Sequence, residues 1–157
     1  MADVFISYHE QSAGNLVPRI AAALENGGIS CWYAKRNMPL NVPFAEEIVQ
    51  AIEDCKVFLL ILNQQSVKSL HVASETAIFF RRLEENKDLS LIPFRVDDCA
   101  LSNRMFYYLS LTPIFDACPP TEERIQALTA QIAGTLNRKR PRNAKAAPQT
   151  VREIGMQ

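Results

Sequence analysis

Val57-Phe58-Leu59-Leu60-Ile61-Leu62 is a run of six apolar residues with no polar residue to mark a wet face. Successive side chains of a strand point to opposite sides of its sheet, so a half-exposed strand alternates apolar and polar residues. A run without alternation reads as a strand buried on both faces, as at the centre of a parallel sheet. Helical spacing flanks it. Phe44, Ile48, Ile52 and Cys55 recur every three or four residues before it, and Val72, Thr76, Phe79, Phe80 and Leu83 after it. Helix, buried strand and helix form the repeating pattern of an α/β protein.

The alternation continues outward. Toward the N-terminus, Val4-Phe5-Ile6 reads as a short strand, and Leu16, Ile20, Ala23 and Leu24 share one face of a helix. Gly27-Gly28 ends that helix, since glycine accepts the left-handed conformation found at helix C-termini. Residues 29–33 read as a second strand, and residues 34–42, with Lys35, Arg36, two asparagines and Pro39, as an exposed loop. Toward the C-terminus come a polar loop at 63–69, a strand at 89–94, and a loop holding Asp97-Asp98. A short helix follows near 103–109, then a fifth strand at 112–115. Pro119-Pro120 leads into a last helix through Ile125, Leu128, Ile132 and Leu136. The pattern predicts a flavodoxin-like three-layer sandwich: a five-stranded, mainly parallel sheet with helices on both faces and right-handed crossovers. Ligands of such folds bind outside the carboxyl ends of the strands. Those ends are Ser7-Tyr8-His9 and residues 33–41, 63–69 and 95–98.

A length of 157 residues suits one domain, assigned to residues 1–137. In residues 138–157, Arg138, Lys139, Arg140, Arg142 and Lys145 lie among Asn, Pro and Ala without apolar periodicity. This stretch reads as a flexible basic tail or linker. No aromatic residue interleaves its charges, which argues against nucleic acid as a partner. Lys plus Arg equals Asp plus Glu, 17 each, so no net field draws the protein to nucleic acid or an acidic membrane. Four cysteines form no CxxC pair, and the N-terminus lacks a signal-peptide pattern. A cytoplasmic protein with reduced thiols and no membrane span is expected, with Cys31, Cys55 and Cys99 as packing residues.

Several chemistries lack their motifs. There is no GxxxxGK[ST] after a strand, no GxGxxG after the first strand, and no GxSxG. His9 and His71 are the two histidines, and no His/Cys cluster has zinc spacing. Neither a metal nor a bound cofactor is expected. A phosphate-receiving domain of the same architecture needs acidic residues after the first strand and an aspartate ending the third. Here Ser7-Tyr8-His9 and Asn63 stand in those places, and asparagine cannot accept a phosphoryl group.

Asp3-Val-Phe-Ile-Ser-Tyr8 resembles the opening box of a TIR (Toll/interleukin-1 receptor homology) domain. Cys31-Trp-Tyr-Ala-Lys-Arg-Asn-Met-Pro39 resembles the second strand and long following loop, especially of bacterial members. Residues 44–62 resemble the next helix and strand. Ser66-Val-Lys-Ser69 followed by Glu75 resembles the loop and helix that carry the catalytic glutamate of the NAD-cleaving branch. The likeness covers roughly residues 3–136. It implies one of two functions: an NAD+ glycohydrolase or cyclase acting in defence or signalling, or a non-catalytic scaffold acting through TIR–TIR contacts. The first is the reading taken, with NAD+ as substrate. Self-association and an attached sensor domain or partner protein are expected with it.

On a helical wheel Glu75 falls just outside the apolar arc of its helix, where it would touch both the sheet end and solvent. Many glutamates near a helix start serve only the dipole; the resemblance makes Glu75 the catalytic residue. His71 lies one turn earlier, where the enzymatic branch tends to carry an aromatic residue, and would stack on nicotinamide or orient Glu75. Ser7 and Tyr8 would line the same cleft. Arg36 is a candidate for a phosphate, with surface solvation as the plainer reading. Phe44 resembles the aromatic residue that follows the loop and would cover the ligand, although packing of the helix start explains it equally. Trp32 reads as core. Three departures stand out: Pro39-Leu40-Asn41 in place of Pro-Pro-Gly, His71 in place of an aromatic residue, and His9-Glu10 where arginines often follow the opening Ser-Tyr. The last removes positive charge near a dinucleotide phosphate.

Overall fold

The computed structural model describes residues 1–38 and 44–138. Strands and helices alternate as β1 (Val4–Ser7), α1 (Glu10–Ala13), α2 (Leu16–Asn26), β2 (Cys31–Trp32), α3 (Ala34–Asn37), α4 (Phe44–Asp54) and β3 (Val57–Leu62). A 3-10 turn (Ser66–Lys68) then leads to α5 (Leu70–Glu85), β4 (Ser90–Arg95), α6 (Asn103–Leu109), β5 (Phe115–Asp116) and α7 (Glu122–Arg138). The five strands form one sheet in the order β2-β1-β3-β4-β5, and every pairing is parallel.

β3 is central, and its alternate residues feed two cores. Val57, Leu59 and Ile61 pack with Val4, Ile6 and Phe94 beneath α2 and α7, which contribute Val17, Ile20, Leu24, Ile125, Leu128 and Ile132. Phe58, Leu60 and Leu62 pack with Phe5 and Leu91 beneath α4, α5 and α6, through Ile52, Val72, Phe79, Met105 and Leu109. Both faces are apolar because both are covered, which is why the strand shows no alternation. Phe58 stacks between Phe5 and Phe79, with ring centroids 5.4 and 5.1 Å away. Trp32 is half-buried at the end of β2 and stacks on Phe5 at 5.1 Å. Cys31, Cys55 and Cys99 are buried free thiols.

The edges depart from expectation. The strand predicted over residues 29–33 shrinks to Cys31–Trp32, and the one predicted over 112–115 lies instead at Phe115–Asp116, set by its pairing with Phe94 and Arg95 of β4. The predicted loop 34–42 opens as a helical turn: Asn37 Oδ1 accepts the N–H of Tyr33 at 3.1 Å, and the N–H of Asn37 donates to the Tyr33 carbonyl at 3.0 Å. Pro39-Leu40-Asn41 lies outside the described residues, as does the basic tail beyond Arg138. The predicted polar loop 63–69 holds the 3-10 turn and buries Asn63 and Ser66. Gly28 takes φ +84°, the left-handed conformation expected where α2 ends. No helix among the described residues is long and apolar enough to cross a membrane.

Candidate functional site

The carboxyl ends of β1 and β2 face the first half of α5. Ser69 fixes where α5 begins, since its Oγ accepts the N–H of Val72 at 3.2 Å. Counting from that cap, Glu75 stands in the second turn, half-buried, with its carboxylate toward β1. Ser7, the last residue of β1 and itself buried, donates its hydroxyl to Glu75 Oε1 at 2.7 Å. Burial pushes the Glu75 carboxyl up to about 7, against the Ser7 hydroxyl, which steadies the anion. Desolvation is the dominant influence on this carboxyl, which stands in the second turn of α5, where the pull of a helix dipole has faded.

Two adjoining cavities open on Glu75. One, of about 220 Å³, is lined by Phe5, Ile6, Tyr8, Glu10, Ala34, Lys35 and Glu75. The other, of about 510 Å³, is lined by Tyr8, His9, Glu10, Gln11, Ala34, Met38, Ala45, Ile48, Ser69, His71 and Glu75. The exposed wall surface is largely apolar, and His9, Glu10, Gln11, Ser69, His71 and Glu75 bring polar groups to it, a combination suited to a small-molecule site. Ser7, Tyr8, His71 and Glu75, singled out from sequence, therefore meet at one place. Tyr8 packs edge-on to Tyr33 at 6.2 Å. Burial, and a hydrogen bond to the Glu10 carboxylate, push its phenol well above the ordinary tyrosine range, so it stays protonated.

Arg36 is not brought to the cleft. Its guanidinium grips both oxygens of Glu25, at 3.1 and 2.7 Å, donates to the Cys31 carbonyl at 2.8 Å, and lies 4.8 Å from the Tyr33 ring centre. It braces α3, whose Ala34 and Lys35 form a cavity wall. Phe44 opens α4, and its side chain lies outside what the structure describes. Lys35 and Met38 lie within the residues 33–41 marked from sequence as a strand end, whereas Glu10, which opens α1, joins the cavity wall without having been assigned to it. Among the described residues, no group of three or more His, Cys, Asp or Glu side chains is placed to hold a metal ion.

A family model described as the TIR domain matches residues 4–129. The chain belongs to the TIR domain family. Solved TIR structures share its fold. The TIR domain of the Toll-related receptor TRR-2 from Hydra magnipapillata is 20% identical, with a TM-score of 0.61 over 88% of this chain and 99% of that one. The RPS4 and RRS1 TIR heterodimer is 18% identical, with a TM-score of 0.61 over 84% and 96% of the two chains. The TIR domains of the activated Roq1 resistosome, which directly recognises the pathogen effector XopQ, are 16% identical, with a TM-score of 0.57 over 85% and 84%. No curated protein matches the chain. In this TIR domain the cleft lies between the end of β1, α3 and the start of α5.

Proposed function

We propose that this TIR domain is an NAD+ glycohydrolase that breaks the bond between nicotinamide and ribose, releasing nicotinamide and ADP-ribose or a cyclic or rearranged ADP-ribose. One observation carries the reading: a half-buried glutamate, held by Ser7, lines a cavity of about 510 Å³, large enough for part of a dinucleotide. In the reaction the bond between C1′ and the nicotinamide nitrogen breaks, and its electron pair leaves with the ring, which departs neutral. Positive, oxocarbenium-like charge is left on the ribose. The Glu75 carboxylate stabilises that charge and holds the ribose hydroxyls. Water then adds at C1′ and gives its proton to Glu75; a nucleophilic nitrogen of the same molecule adding there instead closes a ring. His71 and Tyr8 offer rings against which the nicotinamide packs. The cationic nicotinamide ring, once bound, favours the ionised form of Glu75 that the chemistry needs.

A second reading, a scaffold without chemistry, draws on the RPS4–RRS1 heterodimer and the Roq1 assembly, and on Phe106 and Tyr107, which stand 59% and 67% exposed on α6. Assembly and catalysis are compatible, so the deciding experiment is chemical. Nicotinamide release from NAD+ is measured at high protein concentration for the wild type and for Glu75→Gln. Turnover in the wild type with at least a hundredfold loss in the variant is expected. Turnover that survives the substitution rejects the role of Glu75, and none in the assembled wild type leaves the scaffold.

A further inference from the structure

Glu10 opens α1 shortly after the end of β1, and its carboxylate has a defined place in the cleft. It lines both cavities, as Glu75 does. The Tyr8 hydroxyl donates to it. Gly14 stands on its other side: a Cβ added there would lie 2.9 Å from Glu10 Oε2 and 3.3 Å from its Cδ, so the carboxylate fills space that any other residue would claim. The helix that carries Glu10 is itself tied to the sheet. Asn63 Nδ2, just after β3, donates to Ser12 Oγ on α1 at 3.1 Å, and that oxygen lies 2.7 Å from His9 Nδ1.

The charge of Glu10 is uncompensated. Among the described residues it enters no ion pair; the pairs that form join Arg19 to Glu122, Arg36 to Glu25 and Arg95 to Asp116. A carboxylate has two oxygens and room for several donors, so the Tyr8 hydroxyl leaves most of that capacity open. The described wall of the larger cavity contains Glu10 and Glu75 and neither lysine nor arginine. Lys35 lines the smaller cavity alone. Pro39-Leu40-Asn41-Val42-Pro43, outside the described residues, includes no charged residue. The larger cavity thus sets carboxylates in a mainly apolar wall, where a charge is screened less than in open water. Such a wall suits a flat organic cation.

We propose that Glu10 makes the cleft select the oxidised, cationic nicotinamide ring over the neutral, reduced one, so that NAD+ is held and NADH is turned away. The proposal rests on the reading of the cleft as an NAD+ site. NAD+ and NADH carry the same phosphates, riboses and adenine, and differ in the charge and shape of one ring. A neutral ring gains only packing from the cavity, whereas a cation also gains from each carboxylate that faces it. Glu75 is committed to the ribose, so Glu10 is the carboxylate left for the ring. NADH has no cationic leaving group and cannot react; without this selection it would occupy the cleft unproductively. Glu10 is exposed on its outer side, and solvent screening holds the effect to about tenfold.

The test uses the full chain in the Glu75→Gln background, so that no ligand is consumed and Glu10 is the carboxylate that remains in the cavity wall. NADH binding is followed by its fluorescence and NAD+ binding by competition, at about pH 8, above the ordinary histidine range. NAD+ should bind about tenfold more tightly than NADH, and the ratio should fall to about threefold or less in Glu10→Gln. The 1-methylnicotinamide cation and neutral nicotinamide repeat the comparison on flat rings without phosphate, and should show the same order and the same dependence on Glu10. Equal binding of NAD+ and NADH, a preference that survives Glu10→Gln, or a neutral ring bound as tightly as the cation overturns the proposal. Failure of all four ligands to bind does so too. Glu75-dependent turnover in the wild type, with a ratio indifferent to Glu10, rejects this selection alone. A Glu10-dependent ratio without wild-type turnover rejects the chemistry of Glu75 alone.

Discussion

The Ser7 hydroxyl reaches Glu75 Oε1 at 2.7 Å across 68 residues of sequence, tying the last residue of β1 to the second turn of α5. Two opposing effects meet in this pair. Burial favours the protonated carboxyl, while the hydroxyl, aimed at one carboxylate oxygen, favours the anion. Burial wins, and the carboxyl stands near 7. A group that must be ionised to stabilise positive charge is therefore half-ionised at neutral pH.

At NAD+ well below KM, nicotinamide release should rise with pH through about 7 and then level off, since the ionised form of Glu75 is the working form and this regime titrates the free enzyme. Ser7→Ala removes the one contact that holds the carboxyl down. The rising limb should move up by about one pH unit, a shift worth roughly 1.4 kcal/mol and typical of a lost hydrogen bond to a charged group. At pH 7 the rate should fall several-fold, and much of it should return at pH 9. An unshifted limb in the variant would separate Ser7 from the ionisation of Glu75.

Stability should show the opposite trend. The folded carboxyl titrates near 7 and an ordinary glutamate near 4.5. Between those values the folded chain keeps a proton that the unfolded chain has lost, so stability declines as pH rises through that window. Above about 7 the whole penalty is present, at most about 3 kcal/mol. Glu75→Gln escapes it. The variant should melt roughly 5 °C higher than the wild type at pH 8, with the gap closing toward pH 4.5. Thermal melts across this range measure the difference directly. An equal gap at both ends would mean that the carboxyl does not titrate in the fold as described.

Glu25 and Arg36 form a two-pronged ion pair, each side chain 38% exposed, at the root of α3. Pairs this open are worth about 0.5–1 kcal/mol. A double-mutant cycle with Glu25→Gln and Arg36→Met should return a coupling of that size in chemical denaturation. Because Arg36 braces the cleft wall and lines neither cavity, the salt dependence of KM for NAD+ should not change with Arg36→Met. A flattened salt dependence would return Arg36 to the phosphate.

Segments long enough to show a period, or flanked by clear caps, were legible in the sequence. β3 spans the six residues of the apolar run, and α6 matches its predicted span. The edge strand β2 was overdrawn and β5 was placed too early, because propensity cannot see where a partner strand begins or ends. One-turn helices such as α1 and α3 are too short to carry a period, so both were missed. In the cleft, Glu75 and Ser7 were legible as separate residues at strand and helix ends; their hydrogen bond was not. Arg36 was misdirected because its partner is set by how α2 packs beside β2. The Asn63–Ser12–His9 chain joins the ends of two strands and has no trace in the spacing of its members.

Tyr8 separates the work of a ring from that of a hydroxyl. Its hydroxyl is turned to Glu10 and stays protonated, so it has no role as a proton acceptor. Its ring lines both cavities and leans on Tyr33. If the ring supplies a packing face for the substrate, Tyr8→Phe should keep KM for NAD+ within about twofold of the wild type. Tyr8→Ala should raise it about tenfold, the effect of losing one aromatic contact of roughly 1–1.5 kcal/mol. The hydroxyl also restrains Glu10, so Tyr8→Phe leaves a freer carboxylate at the cavity mouth, and any small rise in KM should fade with added salt. A loss in Tyr8→Phe as large as in Tyr8→Ala would move the contact from the ring to the hydroxyl, and the Tyr8–Glu10 pair would then join Glu75 as part of what holds the ribose.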